Sequence, residues 1–235
     1  NEWFLCGNTT IWDYLSSRQA NPYFCRQPNI FSNGVLKKVI WKDPVPVLNY
    51  TWFTTTGGGG ITSNFKSLTE IQGTPGAFRI SSLNRAFSGW CDAKDYNLKT
   101  VDLNFNSTKN LYSIYYMFEG QRKLEEVKGI GQWDTSNLRL CSGAFRDCKA
   151  LKRIDLSGWV LTDQNGNLNH LGKSFINHDV DIPYQYNVPI FGDGDYKCDA
   201  LEEIRLPAAV ENAWPSGYDT PDKWGAPNAT VYYVN

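Results

Sequence analysis

The sequence has no excess of charge of either sign. Its 23 Lys plus Arg face 24 Asp plus Glu, a net charge of -1, with no block of like charge. That balance excludes the electrostatic footprint needed to hold nucleic acid or an anionic membrane surface. Long apolar runs are missing too. The most apolar stretch, Val35 to Tyr50, is broken by Lys37, Lys38, Lys42, Asp43 and two prolines, so nothing approaches the roughly 20 apolar residues of a membrane-spanning helix. Histidine is scarce, at two positions, His170 and His178. No His-Glu-x-x-His, Gly-x-Ser-x-Gly or phosphate-loop pattern accompanies them, which removes the usual sequence grounds for a hydrolase or nucleotide enzyme. The six cysteines form no Cys-x-x-Cys pair and are too sparse for a disulfide framework, although Cys6 and Cys25 could form one bridge. The opening Asn-Glu-Trp-Phe-Leu-Cys has neither a starting methionine nor a basic stretch. Any targeting peptide is therefore expected to have been removed or to lie outside this sequence. The four Asn-x-Ser/Thr sequons are about as many as chance supplies and carry no weight.

What is present is a repeat. The pattern Leu-x-x-[Ile/Val]-x-[apolar or Gly] occurs at Leu36-Val39-Trp41, Leu68-Ile71-Gly73, Leu98-Val101-Leu103, Leu124-Val127-Gly129, Leu151-Ile154-Leu156 and Leu201-Ile204-Leu206. Successive leucines are 32, 30, 26, 27 and 50 residues apart, and Asn110-Leu111, Phe118 and Leu124 recur 27 residues later as Asn137-Leu138, Phe145 and Leu151. The alternation at the end of each hexamer predicts a short strand with one buried face. Upstream, Leu138, Cys141, Ala144 and Phe145 are spaced by three and four, which predicts a short helical segment facing the same core. Such a unit cannot bury its apolar face alone. Stacked copies can, as an α/β leucine-rich-repeat solenoid with parallel strands on one face and short helices on the other, right-handed by the general rule for parallel crossovers.

This organisation predicts an N-terminal cap at 1–34, a solenoid at 35–207 and a C-terminal cap at 208–235 that covers the last repeat with Trp214, Tyr218, Trp224 and Val231 to Val234. Two excursions interrupt the solenoid, at 43–64, which holds Gly57 to Gly60, and at 177–196, rich in Asp, Tyr, Pro and Gly.

Ala144-Phe145-Arg146-Asp147-Cys148-Lys149-Ala150-Leu151-Lys152-Arg153-Ile154-Asp155-Leu156 resembles, residue for residue, the Ala-Phe-x-x-Cys-x-x-Leu-x-x-Ile-x-Leu signature of BspA-like leucine-rich-repeat surface proteins. Cys198 to Pro207 repeats its second half, and Trp133-Asp134-Thr135-Ser136-Asn137 resembles a turn of a related repeat subfamily in bacterial surface lipoproteins. The resemblance covers Phe78 to Pro207 and extends towards Val35. It implies a non-enzymatic protein outside a bacterial cell, on its surface or secreted, with repeats that serve adhesion to host or microbial proteins or to glycans. Similar repeats also occur in some protozoan parasites. The chain departs from the pattern in its N-terminal third, in the 177–196 insertion, and at Gly73 and Gly129, where an apolar residue is usual.

Cys148 and Cys198 share one repeat position, three residues before a core leucine, where a small buried thiol packs well. Trp133 and Trp159 also share a position and read as structural corners. Asp163 to Asn167 begins like a calcium loop but has its glycine at the fourth place and Ser174 at the twelfth. Asp179, Asp181, Asp193 and Asp195 could gather oxygen ligands, though acidic loops are usually just solvated; no metal and no cofactor is expected. On the strand face, Lys38, Glu70, Thr100, Glu126, Arg153 and Glu203 form one outward column, and Ile40, Gln72, Asp102, Lys128, Asp155 and Arg205 the next. Their mixed signs suit cross-strand charge pairs rather than a charged ligand. Nine Trp and 13 Tyr exceed what an aliphatic core requires, and exposed rings are common platforms for sugars and protein hot spots. Trp52, Phe53, Tyr184, Tyr186 and Phe191, which have no repeat equivalent, are the expected ligand contacts. The leading expectation is a recognition or adhesion module; the alternative is a structural unit that assembles with other copies or domains of a larger surface polypeptide.

Overall fold

The structure is a computed structural model, and it describes residues 2–5, 38–41, 69–72, 82–85, 87–88, 97–104, 108–178 and 188–235. Each of the six hexamers supplies one short strand. With the flanking strands β1 (Glu2–Leu5) and β8 (Thr230–Val234), they are β2 (Lys38–Trp41), β3 (Glu70–Gln72), β4 (Thr100–Asp102), β5 (Glu126–Lys128), β6 (Arg153–Asp155) and β7 (Glu203–Pro207). They pair in parallel and in chain order, as a five-stranded sheet β1 to β5 and a three-stranded sheet β6 to β8. The two outward columns read from the sequence coincide with the register within each sheet: Lys38, Glu70, Thr100 and Glu126 are partners in one, and Arg153, Glu203 and Thr230 in the other. Val101, Val127, Ile154 and Ile204 point into the core.

The connecting segments differ from the expected row of short helices. Among the described residues the one α-helix is α1 (His170–Phe175). Elsewhere the segments are successive turns, for a reason visible in their hydrogen bonds. In 114–121 the amides alternate: those of Ile114, Tyr116, Phe118 and Gly120 donate to the carbonyls of Leu140, Ser142, Ala144 and Arg146, while those of Met117, Glu119 and Gln121 donate three residues back along their own turn. A helix would need every amide for its own i-4 carbonyl. Here half of them are spent on the next segment. The same forward donation joins Leu83, Arg85 and Phe87 to Ser113, Tyr115 and Met117, and joins Gly143, Phe145 and Asp147 to Pro189, Ile190 and Tyr196. The turns therefore form a second inter-repeat ladder opposite the strands.

Stacking in register superposes equivalent side chains. Phe87, Phe118, Phe145 and Phe191 form a buried column with ring centroids 5.1, 5.6 and 5.9 Å apart. Beyond it, Phe175, Trp214 and Trp224 pack against one another at 4.8 to 5.6 Å. Gln121, Cys148 and Cys198, each three residues before a hexamer leucine, donate to the carbonyls of Phe87, Phe118 and Phe145. The indoles of Trp133 and Trp159 are buried and donate to the carbonyls of Leu103 and Ile130, one segment back. The sheet is interrupted between β5 and β6. Gly129, one residue past β5, faces the other way, towards the chain just past β4: it adopts φ 79°, and a side chain on it would sit 2.6 Å from the Asn104 amide nitrogen. This departure from the repeat pattern is thus the residue the close backbone approach requires.

Part of the expected 177–196 excursion packs on the repeats. Residues 188–196 belong to the stack, with Val188, Ile190 and Phe191 buried; residues 179–187, the 43–64 excursion and most of the 1–34 cap lie outside the described residues. No described helix is long and apolar enough to cross a membrane. Phe118→Ala, in the middle of the aromatic column, should cost about 3–5 kcal/mol in denaturant unfolding. Tyr112→Ala, at a ring 48% exposed, should stay within about 0.5 kcal/mol. Equal losses would mean that the column does not carry the stack.

Candidate functional site

In three turns of the ladder, the residue two positions before the phenylalanine is in the left-handed region: Arg85 at φ 52°, Tyr116 at 52° and Gly143 at 59°. The Tyr116 ring lies over Gly143, where a side-chain carbon would stand 1.9 Å from the ring. Glycine clears the space the tyrosine fills. Val188 packs with Tyr115 and Tyr116 as a small buried cluster.

Around these rings the charges alternate with aromatics. The Arg85 guanidinium stands 4.6 Å from the Tyr116 ring centre and 5.4 Å from Tyr115. Arg146 stands 5.9 Å from Tyr116 and 4.3 Å from Tyr196. The order Arg85, Tyr116, Arg146, Tyr196 thus runs through four successive segments as a cation–aromatic stack. Glu119 bridges the two cations, with Oε2 2.8 Å from Arg85 Nη1 and Oε1 2.9 Å from Arg146 Nη1. Arg146 Nε also reaches Asp193 Oδ1 at 3.3 Å. Glu119 is 1% exposed. Burial pushes its carboxyl above the ordinary range, against the opposing pull of Arg85 and Arg146. Burial works against the Arg146 charge, yet Glu119 outweighs it and holds the guanidinium more firmly protonated. The Tyr115 and Tyr116 hydroxyls are also pushed up, first by burial. The arrangement holds two guanidinium planes rigidly and presents Tyr196, 38% exposed, at one end. It is suited to contact rather than to proton transfer.

The expected site residues fare differently. Trp52, Phe53, Tyr184 and Tyr186 lie outside the described residues. Phe191 is a correction: it is fully buried against Phe145 and Phe175 and belongs to the core column. Asp193 joins Arg146. Asp163 Oδ1 accepts the amides of Asn165 and Asn167, closing a turn flanked by the Thr162–Leu168 bridge, so this carboxylate caps a hairpin. Among the described residues no group of three or more His, Cys, Asp or Glu is placed to hold a metal ion. On the strand face the pairs Glu126–Lys128 and Glu203–Arg205 run along single strands, joining the two columns, rather than across strands. Two of the buried thiols are held away from the thiolate form. Burial pushes Cys141 up to about 12 and Cys148 well above its ordinary value.

Sequence reasoning missed Arg85, Tyr116, Glu119, Arg146 and Tyr196. A signal existed: Tyr116 and Gly143, like Glu119 and Arg146, are 27 residues apart, one repeat period, so a large ring over a glycine and opposite charges side by side were both legible.

Residues 64–180 match a family model described as "Mycoplasma protein of unknown function, DUF285". Neither the curated proteins nor the solved structures contain a match to the chain.

Glu119 gives a pH test. Because its folded-state pKa is raised, its contribution to stability is complete below the ordinary glutamate range and is lost as pH rises through the raised value. Glu119→Gln has no proton to lose there. The unfolding free energy of the variant minus that of the wild type should therefore increase as pH climbs through this window. A pH-independent difference, or one that falls, would contradict the assignment.

Proposed function

We propose that the chain is a leucine-rich-repeat solenoid of the BspA-like type that acts outside the cell as a non-enzymatic recognition or adhesion module for a protein or a glycan. The strands in chain order, with hexamer positions in register, support the solenoid. The observation that carries recognition is the Arg85–Tyr116–Arg146–Tyr196 stack, which ends on an exposed ring beside the Asp193 carboxylate. A ring that is already held in place loses little conformational freedom on binding, the property that favours tyrosine at contact surfaces. Catalysis has no comparable support, since the buried carboxylate of this network is occupied by two guanidinium groups and burial raises the pKa of the Cys141 and Cys148 thiols.

One observation favours the alternative of an assembly unit. Among the described residues β8 pairs on one side, with β7, and carries Tyr232, 51% exposed, on the strand face. Edge strands of this kind pair readily with further strands.

The purified chain should bind saturably to a component of an array of mucosal glycans and extracellular-matrix proteins. Tyr196→Ala should weaken that binding by roughly tenfold or more, the scale of a contact hot spot. A Trp52→Ala, Tyr184→Ala, Tyr186→Ala variant tests the sequence-derived contacts in the same assay. Absence of binding, together with a mass that rises with concentration, would favour assembly instead.

A further inference from the structure

We infer that Lys149 is a positioning residue: its ammonium group serves as a tethered cation in an oxygen cage built by residues 195–199, and so fixes the strap that carries Asp193 and Tyr196. The inference rests on the recognition reading only for what the strap presents; the cage stands on its own geometry.

Lys149 Nζ lies 2.9 Å from the Asp195 carbonyl, 2.8 Å from the Lys197 carbonyl and 2.7 Å from Asp199 Oδ2. An ammonium has three donors, and all three are spent. A fourth oxygen, Asp147 Oδ1, stands 4.0 Å away, buried and accepting no hydrogen bond among the described residues; its partner Oδ2 is held by Arg122 Nε at 2.7 Å. Two of the four oxygens belong to the backbone on either side of Tyr196. Holding them sets the course of the chain there, which a pairing of two mobile side chains would not do.

The rest of the strap is built to meet this cation. Gly192 and Gly194 adopt φ 98° and 51°, and a side chain at Gly192 would stand 2.1 Å from the Tyr196 carbonyl. That carbonyl accepts the Asp147 amide at 2.7 Å, and the Tyr196 amide donates to Asp193 at 2.9 Å. The turn ladder thus holds the strap at the Tyr196 carbonyl through the Asp147 amide, and the Lys149 ammonium holds the carbonyls on either side of it. Arg146, three residues earlier, takes Asp193 and the Tyr196 ring. One turn therefore supplies two cations that hold the strap.

The test is residue-resolved amide hydrogen exchange on the whole chain. Lys149→Met keeps the apolar stem and removes the donors. The amides of Asp147 and Tyr196 should then exchange about tenfold faster or more, with Phe118 and Leu156, which donate outside the strap, unchanged. In Lys149→Ala, methylammonium should restore protection saturably. Tetramethylammonium, equal in charge but without N–H donors, should not. Unchanged exchange in Lys149→Met, equal acceleration at Phe118 and Leu156, or equal rescue by both cations would overturn the proposal. No ligand is added, so a failure of the recognition reading would appear in the binding array and not here.

Discussion

The forward donation of turn amides, from each repeat to the next, is the constraint on which the other features depend. It fixes the spacing of the turns and keeps them in register over the described stack from Leu83 to Tyr196. Once register is set, every position of the repeat becomes a column. The phenylalanines meet at 5.1 to 5.9 Å, the Gln121, Cys148 and Cys198 donors each find a phenylalanine carbonyl, and the strand hexamers align without a slip. The column residues supply buried apolar area, and the hydrogen bonds decide which atoms meet.

The same constraint explains how a charged network can be buried. Burying the Glu119 carboxylate and partly burying two guanidinium groups carries a desolvation cost of about several kcal/mol per fully buried ion, and their mutual attraction does not reliably return it. The network is therefore a poor source of stability. Its consequence is positional. Glu119 has both oxygens engaged, Arg85 and Arg146 lie against rings, and Tyr116 fits only because the next turn has glycine at the equivalent place. Mobile surface charges would not arrange four side chains from four segments in one line.

The strands were legible because a period-two hexamer repeated six times leaves little freedom: Val127 and Ile154 had to face inward, and Glu126 and Arg153 outward. The turns were not. Leu138, Cys141, Ala144 and Phe145 carry helical spacing, but that spacing records which residues face the core, and a chain of turns stacked on its neighbours satisfies it equally well. Phe191 was misplaced for a related reason. In the turn of Phe145, Cys148 follows after three residues, whereas Cys198 follows Phe191 after seven, so the extra residues hid its place in the column. Those extra residues are the strap that Lys149 holds. The charged network was hidden because alternating Arg and Tyr in separate repeats looks like ordinary surface until register superposes them.

The most direct measurement of the account is disulfide trapping across the strand face. Parallel strands in register bring equivalent Cα atoms within the range a disulfide can span. An Arg153→Cys, Glu203→Cys pair, partners in the β6–β7 register, should therefore oxidise readily. The pair Arg153→Cys, Arg205→Cys, displaced by two residues along the strand, should not. Equal yields, or preference for the displaced pair, would contradict the in-register stack from which the aromatic column, the charged network and the held strap all follow.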